Sequence, residues 1–437
     1  MNGKGQELYR KARTRIPGGT QLLSKRPEMF LPGGWPSYYD RAKGSRVWDL
    51  DGHEYIDMSY NGLGACVLGA GDPDVDAAVK VAIDKGTMST LNCPEEVELA
   101  DLLCEIHPWA EMVRYARGGG EAAAIAVRIA RAATGRDKIA FCGYHGWHDW
   151  YLAANLPSDS ALDDHLLSGL DQAGIPRGLA GSALPFHYGR LNELEAILDQ
   201  NPGEIAGVIM EPVRSHLPEP NFLKGVRAAA KKAGAVLIFD EITAAFRMNS
   251  GGAHLCLGVD PDIAIFAKAM SNGYAMAAVI GRREVMEAAQ STFISSTYWT
   301  ERIGPSAALV TIRKHRSCGV AEHLNHLGTQ VQEGWKRIAS ELDLDLKVDG
   351  IPPLSHFSLG GEHQAIMQTL FTKQMLDRGF LATKAFYATF AHTDEDIAKY
   401  LASAREVFAE IRSELEEGTL ADHLNSPVAH SGFARLA

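Results

Sequence analysis

The stretch Pro261-Asp262-Ile263-Ala264-Ile265-Phe266-Ala267-Lys268-Ala269-Met270-Ser271-Asn272-Gly273 carries a four-residue apolar run that ends almost on a lysine. A second run, Ala235-Val236-Leu237-Ile238-Phe239-Asp240, ends on a carboxylate. Short unbroken apolar runs of this kind read as strands buried on both faces. Four more occur, VRYA (113–116), IAFC (139–142), GVIM (207–210) and AAVIG (277–281), and helical stretches separate them. EAAAIAVRIARAA (121–133) and NFLKGVRAAAKKA (221–233) are the clearest helices, by propensity and by apolar spacing. The alternation predicts an α/β fold with a mostly parallel central sheet and helices on both faces.

Outside this region the patterning changes. Residues 46–58, RVWDLDGHEYIDM, alternate about an Asp51-Gly52 turn and predict a hairpin. Beyond about residue 306 come a helix near 320–343, irregular strand signals and a long amphipathic helix near 393–416. Thr393 followed by Glu395 and Asp396 suits the N-terminus of that helix, where early carboxylates meet the positive end of the dipole. The expected organisation is an N-terminal segment (1–60) that packs with a smaller C-terminal α+β domain (306–437), and a large ligand-binding domain (61–305).

Composition narrows the function class. The 437 residues, 46% of them apolar, suffice for a large core, and a net charge of -11 argues against a nucleic-acid partner. Six cysteines stand apart without CxxC spacing, which suggests neither a disulfide framework nor a zinc site. The basic N-terminus has no apolar core like that of a signal peptide, and no run reaches membrane-spanning length. A cytoplasmic protein acting on small molecules is expected, with no membrane partner and no metal.

In a doubly wound sheet ligands bind beyond the carboxyl ends of the strands. Gly118-Gly119-Gly120 follows VRYA and precedes a helix, so its amides can approach an anion; a plain tight turn would use the same residues. Tyr144-His145-Gly146 follows IAFC, and Tyr144 can stack on a flat ligand or pack in the core. His145 and His148 have metal-ligand types, but no third ligand is near. Asp240 can pair with a protonated ring nitrogen or cap the following helix. Lys268, flanked by Phe266, Ala267, Ala269 and Met270, sits where apolar surroundings lower an amine pKa and favour Schiff-base formation, although a lysine stem can pack there while its head reaches water. An amine and a carboxylate at neighbouring strand ends is the arrangement that holds pyridoxal 5'-phosphate by its aldehyde and its ring nitrogen.

Taken together, VWDLDGHEYID (47–57), GGGEA (118–122), YHG (144–146), EP (211–212), DEITAAFR (240–247), PDIAIFAKAMSNGY (261–274), SSTY (295–298) and HTDEDI (392–397) resemble the class III, ornithine-type, pyridoxal phosphate aminotransferases of fold type I over nearly the whole chain. IPGG (16–19) is similar to the glutamate-1-semialdehyde aminomutase branch, which holds both mutases and transaminases. The resemblance implies Lys268 as the Schiff-base lysine, Asp240 as the partner of the ring nitrogen, and Tyr144 with Ile242 on the two faces of the ring. It also implies Gly119 and Gly120 at the phosphate, Glu211 near the substrate side and Thr243 near the ring hydroxyl. Thr297 would reach the phosphate of a neighbouring subunit's cofactor, which implies a homodimer with shared active sites.

The chain departs from the pattern at several points. Gly118-Gly119-Gly120 replaces a Ser-Gly-Thr, which removes hydroxyl contacts to the phosphate; Ala245 replaces a glycine. Trp299-Thr300-Glu301-Arg302 replaces Gly-Gly-Asn-Pro and is expected to add bulk and charge beside the cofactor. Lys25 or Arg26 is not at the clean spacing of the aminomutases' carboxylate-binding arginine. RGGGEA, GYHGWHDW, EPVRSHLP and SSTYWTERIGP look similar to a sugar-acting subgroup that includes the enzyme aminating C8 of 3-deoxy-octulosonate. The implied reaction moves an amino group from a donor such as glutamate to an aldehyde or ketone acceptor, with a 2,1-aminomutase as the alternative. Arg214 and Arg302 are candidates for gripping a substrate carboxylate, although a surface or interface ion pair would use the same residues, and Trp147, Trp150 and Trp299 are candidates for shaping the pocket.

Overall fold

The computed structural model describes residues 3–158, 160–165, 169–213 and 216–431. Its contacts divide the chain into residues 1–72 with 322–437, and residues 73–321. The divisions thus fall at 72 and 321, where the sequence reading placed them near 60 and 305. The reason lies in a helix at Ile303–Ser317, which packs against helices Pro73–Asp84 and Pro94–Ile106 of the 73–321 unit.

The 73–321 unit is built on seven strands: β1 (Met112–Ala116), β2 (Lys138–Cys142), β3 (Ala183–Pro185), β4 (Ile205–Met210), β5 (Val236–Asp240), β6 (Ile263–Phe266) and β7 (Ala277–Gly281). Their order is β1-β7-β6-β5-β4-β2-β3. Every pairing from β6 across to β3 is parallel, while β7 runs antiparallel to both β6 and β1. β3 has no counterpart in the sequence reading: it is three residues long and ends on Pro185, which lacks the N–H for a further ladder bond.

Helices cover both faces, as the unbroken apolar runs require. On one face α1 (Gly119–Thr134) presents Ala122, Ile125, Ala126 and Ile129 to Ile209, Ile238, Ile265 and Val279. On the other, α2 (Leu191–Gln200) and α3 (Phe222–Ala233) set Leu194, Leu223 and Val226 against Val208, Met210, Leu237 and Phe239. Neighbouring residues of one strand thus enter opposite layers, the period-two consequence of the pleat. The helix α1 begins two residues before the predicted Glu121. Glu121 folds back so that its Oε2 accepts the amides of Arg117 and Gly118 at 3.0 and 2.9 Å, which supports a start at Gly119; Gly135, at φ 67°, ends the helix.

The other unit contains a four-stranded sheet in which Phe380–Ala382 pairs in parallel with Glu54–Met58, and the hairpin about Asp51-Gly52 forms as expected. Its core stacks Phe371 on Phe408 at 4.8 Å, and the buried Trp335 indole donates to the Tyr400 hydroxyl at 3.0 Å. The long helix runs Asp394–Glu417. Thr393 Oγ1 accepts the Asp396 amide at 3.1 Å, and Asp396 Oδ2 accepts the Thr393 amide at 3.2 Å, a reciprocal cap. Thr393→Ala is expected to lower the stability of this unit by about 1 kcal/mol, and Thr393→Ser by a few tenths at most. Denaturant unfolding measures both, and an unchanged midpoint for the alanine variant would refute the role of the cap.

Candidate active site

Parallel register brings the chemistry together. Cys142 pairs with Met210, Met210 with Phe239, and Asp240 with Ile265, so β2, β4, β5 and β6 finish along one edge. The residues that follow them, Gly143 to His148, Glu211, Asp240 to Thr243 and Lys268, therefore share that edge.

Lys268 adopts φ 50°, a left-handed conformation uncommon for a side chain of this size. Its Nζ donates to Thr243 Oγ1 at 2.8 Å. Burial lowers the amine pKa; the carboxylates of Glu211 and Asp240 oppose the shift, and the charge of Arg247 adds to it. The flanking Ala267, Ala269 and Met270 are buried.

Asp240 is 3% exposed, and both of its oxygens have partners. Oδ1 accepts the Ile242 amide at 3.0 Å, and Oδ2 lies 2.7 Å from His145 Nδ1. His145 Nε2 faces the Cys142 carbonyl at 3.1 Å. Since a carbonyl only accepts, Nε2 carries a hydrogen, and the proton at Nδ1 is shared with Asp240. Both ring nitrogens are thus engaged, so His145 is not half of a metal pair with His148. Among the described residues no group of three or more His, Cys, Asp or Glu is arranged to hold a metal ion.

The glycine turn closes on this edge by contact. A Cβ on Gly119 would stand 2.8 Å from Ile242 Cδ1, and a Cβ on Gly146, at φ 97°, would stand 2.7 Å from Gly120 Cα. Side chains at either place would push the two loops apart. Glu211 Oε2 accepts the Tyr144 amide at 3.3 Å. Tyr144 is 42% exposed, yet desolvation, followed by the Asp240 charge, pushes its phenol pKa up.

Thr297 is exposed, and its carbonyl accepts Thr300 Oγ1 at 3.0 Å within its own segment. Its segment is fastened elsewhere: Glu301 accepts Arg117 Nε at 2.9 Å and the amides of Ile303 and Gly304 at 2.7 and 2.8 Å, while Arg302 forms a bidentate pair with Glu95 at 2.8 and 3.0 Å. The added charge of Trp299-Thr300-Glu301-Arg302 is therefore internally paired, and Arg302 is not an open carboxylate clamp. Trp299 packs against the core, and Trp150, 7% exposed, belongs to it. Trp147 is 70% exposed. Arg214 lies outside the described residues.

Sequence reasoning missed one buried network behind Asp240. Glu241, fully buried, takes a hydrogen from His254 Nδ1 at 2.6 Å and from the amides of Ala253 and His254 at 2.9 Å each. Trp109 Nε1 donates to His254 Nε2 at 2.9 Å, which fixes His254 as neutral. His107 accepts the Gly252 amide at 3.0 Å, and burial pushes its pKa down to about 4. No periodic signal links residues 107, 109, 241 and 254; the adjacent Asp240-Glu241 carboxylates were the only cue.

The family model for class-III aminotransferases matches residues 33–383. The chain is 32% identical to a 3-aminobutyryl-CoA aminotransferase of Cloacimonas acidaminovorans, over 94% of this chain and 98% of that protein. It is 33% identical to a glutamate-1-semialdehyde 2,1-aminomutase of Roseiflexus castenholzii, over 95% and 99% respectively. The FumI protein of Sphingopyxis sp. MTA144 shares the fold at a TM-score of 0.86, with 24% identity over 95% of this chain and 98% of that one. With the fold, the strand-edge site and these likenesses in agreement, the chain belongs to the class-III aminotransferases and is a pyridoxal phosphate enzyme of fold type I.

Proposed function

We propose that the enzyme transfers an amino group from an amino acid donor, glutamate, to an aldehyde or ketone of a sugar acid, and that Lys268 and Asp240 are its catalytic pair. The observation that carries the reading is the Lys268 amine, held at a left-handed strand end, depressed in pKa by burial and hydrogen-bonded to Thr243. The residues fit the cofactor: side-chain-free backbone at Gly119 and Gly120 leaves helix amides open to a phosphate, and Asp240 supplies a buried charge for a ring nitrogen. When bound, pyridoxal phosphate supplies an aldehyde that condenses with amines and a ring that draws electrons from the reacting carbon.

The protein's part is positional and protolytic. Lys268 Nζ would hold the cofactor by its aldehyde, since its lowered pKa raises the neutral, nucleophilic fraction. The same Nζ would carry a proton to and from the substrate carbon. Asp240, oriented by His145 and by the Ile242 amide, would hold the ring nitrogen protonated. Ile242 and Tyr144 would flank the ring, and Glu211 and Thr243 would line its polar side. Lys268→Ala is expected to abolish the visible band of the bound cofactor and to slow turnover at least about 100-fold, with circular dichroism unchanged; a retained band would remove Lys268 from the role.

An aminomutase needs a cation to grip the substrate carboxylate, and of the N-terminal candidates Arg26 is half-buried while Lys25 is exposed. Arg26 Nη2 lies 2.5 Å from where a Gly18 Cβ would stand, and its charge acts on the Tyr9 phenol. The Lys25 charge acts on buried Asp57, whose carboxyl is pushed up by burial to about 6. The engagement of Arg26 favours transfer over mutation. The acceptor class rests on the likeness of GYHGWHDW and its companion stretches to sugar aminotransferases, and the exposed Trp147 offers an aromatic face for a sugar. With labelled glutamate and oxidised sugar acids, 2-oxoglutarate is expected in proportion to aminated product; turnover of an amino aldehyde without glutamate would establish the mutase instead.

We further infer a cytoplasmic homodimer completed by Thr297. No helix among the described residues is long and apolar enough to cross a membrane. The 73–321 unit turns Leu91, Val97, Phe293 and Tyr298 to water, large apolar groups of the kind an obligate interface covers. Light scattering is expected to give the mass of two chains, and Val97→Glu with Phe293→Asp to give one chain with weakened cofactor retention. A wild-type monomer that holds the cofactor would overturn the shared site.

A further inference from the structure

His148 lies against the first turn of α1. A Cβ on Gly120 would stand 3.1 Å from both Cε1 and Nδ1 of its ring, so the imidazole occupies the space into which a serine or threonine side chain at position 120 would project. The ring is held in place: it stacks on Trp147 at 4.6 Å and 24°, and the His148 carbonyl accepts the amides of Tyr151 and Leu152 at 2.9 and 3.2 Å. Gly146, by its close approach to Gly120 Cα, keeps the two loops in contact.

His148 Nδ1 is buried and has no hydrogen-bond partner among the described residues. A desolvated ring nitrogen without a partner is costly, and in native structures such atoms are nearly always satisfied. The nearest unfilled demand is that of the helix. The first intrahelical bond of sixteen-residue α1 runs from the Ala122 amide to the Gly118 carbonyl at 3.1 Å, so the amides of Gly119, Gly120 and Glu121 precede it. Glu121 does not fill the gap, because its Oε2 is turned back to the amides of Arg117 and Gly118. The amides of Gly119, Gly120 and Glu121 stand at the positive end of the helix dipole, where an anion is favoured, and His148 Nδ1 lies beside Gly120.

We propose that His148 Nδ1–H is a ligand of the cofactor phosphate and replaces the hydroxyl contacts that the Gly118-Gly119-Gly120 turn lacks. Gly120 and His148 form one unit in this account: the missing Cβ admits the ring, and the ring restores a donor. The proposal rests on the reading of the glycine turn as the phosphate cradle, and its test separates the two.

The test compares binding of pyridoxal phosphate and of pyridoxal, which lacks the phosphate, to the full-length apoprotein, read from the visible band. His148→Phe is expected to weaken pyridoxal phosphate about 10- to 100-fold, the range of a lost charge-assisted hydrogen bond, and to change pyridoxal less than about twofold. His148→Asn, which can place an amide donor near the Nδ1 position, is expected to retain most of the affinity. Gly120→Ser in a His148→Ala background is expected to recover affinity that His148→Ala alone loses. Equal weakening of both compounds, or none, would overturn the proposal while leaving the cofactor reading intact. A wild-type chain that bound neither compound would overturn both. Should His148→Phe not fold, the phosphorus resonance of cofactor bound to wild type and to His148→Asn decides: a displaced resonance supports the contact and an identical one refutes it.

Discussion

A carboxylate held at 3% exposure must be paired, and the pairing of Asp240 with His145 is the interaction on which the site depends. It ties the end of β5 to the loop after β2, across the intervening strand β4. Removing either partner would strand a buried polar group and loosen two loops at once. Because His145 Nε2 is fixed by the Cys142 carbonyl, the ring cannot turn to another acceptor, so the charge on Asp240 is aimed as well as stabilised. The Glu241 network does the same for the other side of that strand end, since each of its partners is a group with one available hydrogen-bonding role.

Against this rigid background Lys268 is held in tension. Its backbone sits in a left-handed conformation, its amine is desolvated, and the two carboxylates that would stabilise its charge act against burial without reversing it. The balance shifts the amine toward its neutral form while the charges of Glu211 and Asp240 still act on it. A lysine on an exposed loop would have the flexibility but not the depressed pKa; one buried without Glu211 and Asp240 would be shifted further down.

The strands and their order of chemistry were legible in the sequence because parallel strands buried on both faces leave no alternation to misread, and because two of the runs lead onto residues seldom buried without a partner, Asp240 and Lys268. The direction of β7 was not legible: AAVIG looks the same whichever way it runs, and its antiparallel course follows from the chain's return after Lys268. The choice for Arg302 between a substrate clamp and an ion pair was open in the sequence for a related reason, because the partner, Glu95, lies on a helix distant in sequence that packs beside it. Long-range polar pairings such as Glu241 with His254 and Trp109 leave no periodic trace, so buried networks are where sequence reading is weakest.

The same contrast explains why the departures from the family pattern are coherent. Taken one at a time, a glycine triplet in place of hydroxyl residues looks like a loss, and Trp299-Thr300-Glu301-Arg302 looks like an intrusion. In the folded chain Glu301 grips Arg117, the residue immediately before that triplet, and caps the helix beginning at Ile303. The triplet in turn admits Ile242 on one side and His148 on the other. A turn without side chains has little to hold its own shape, so its geometry is imposed by Arg117 and Glu121 from behind and by the packed loops in front. The substitutions thus relocate the restraint on the turn from its own side chains to its neighbours.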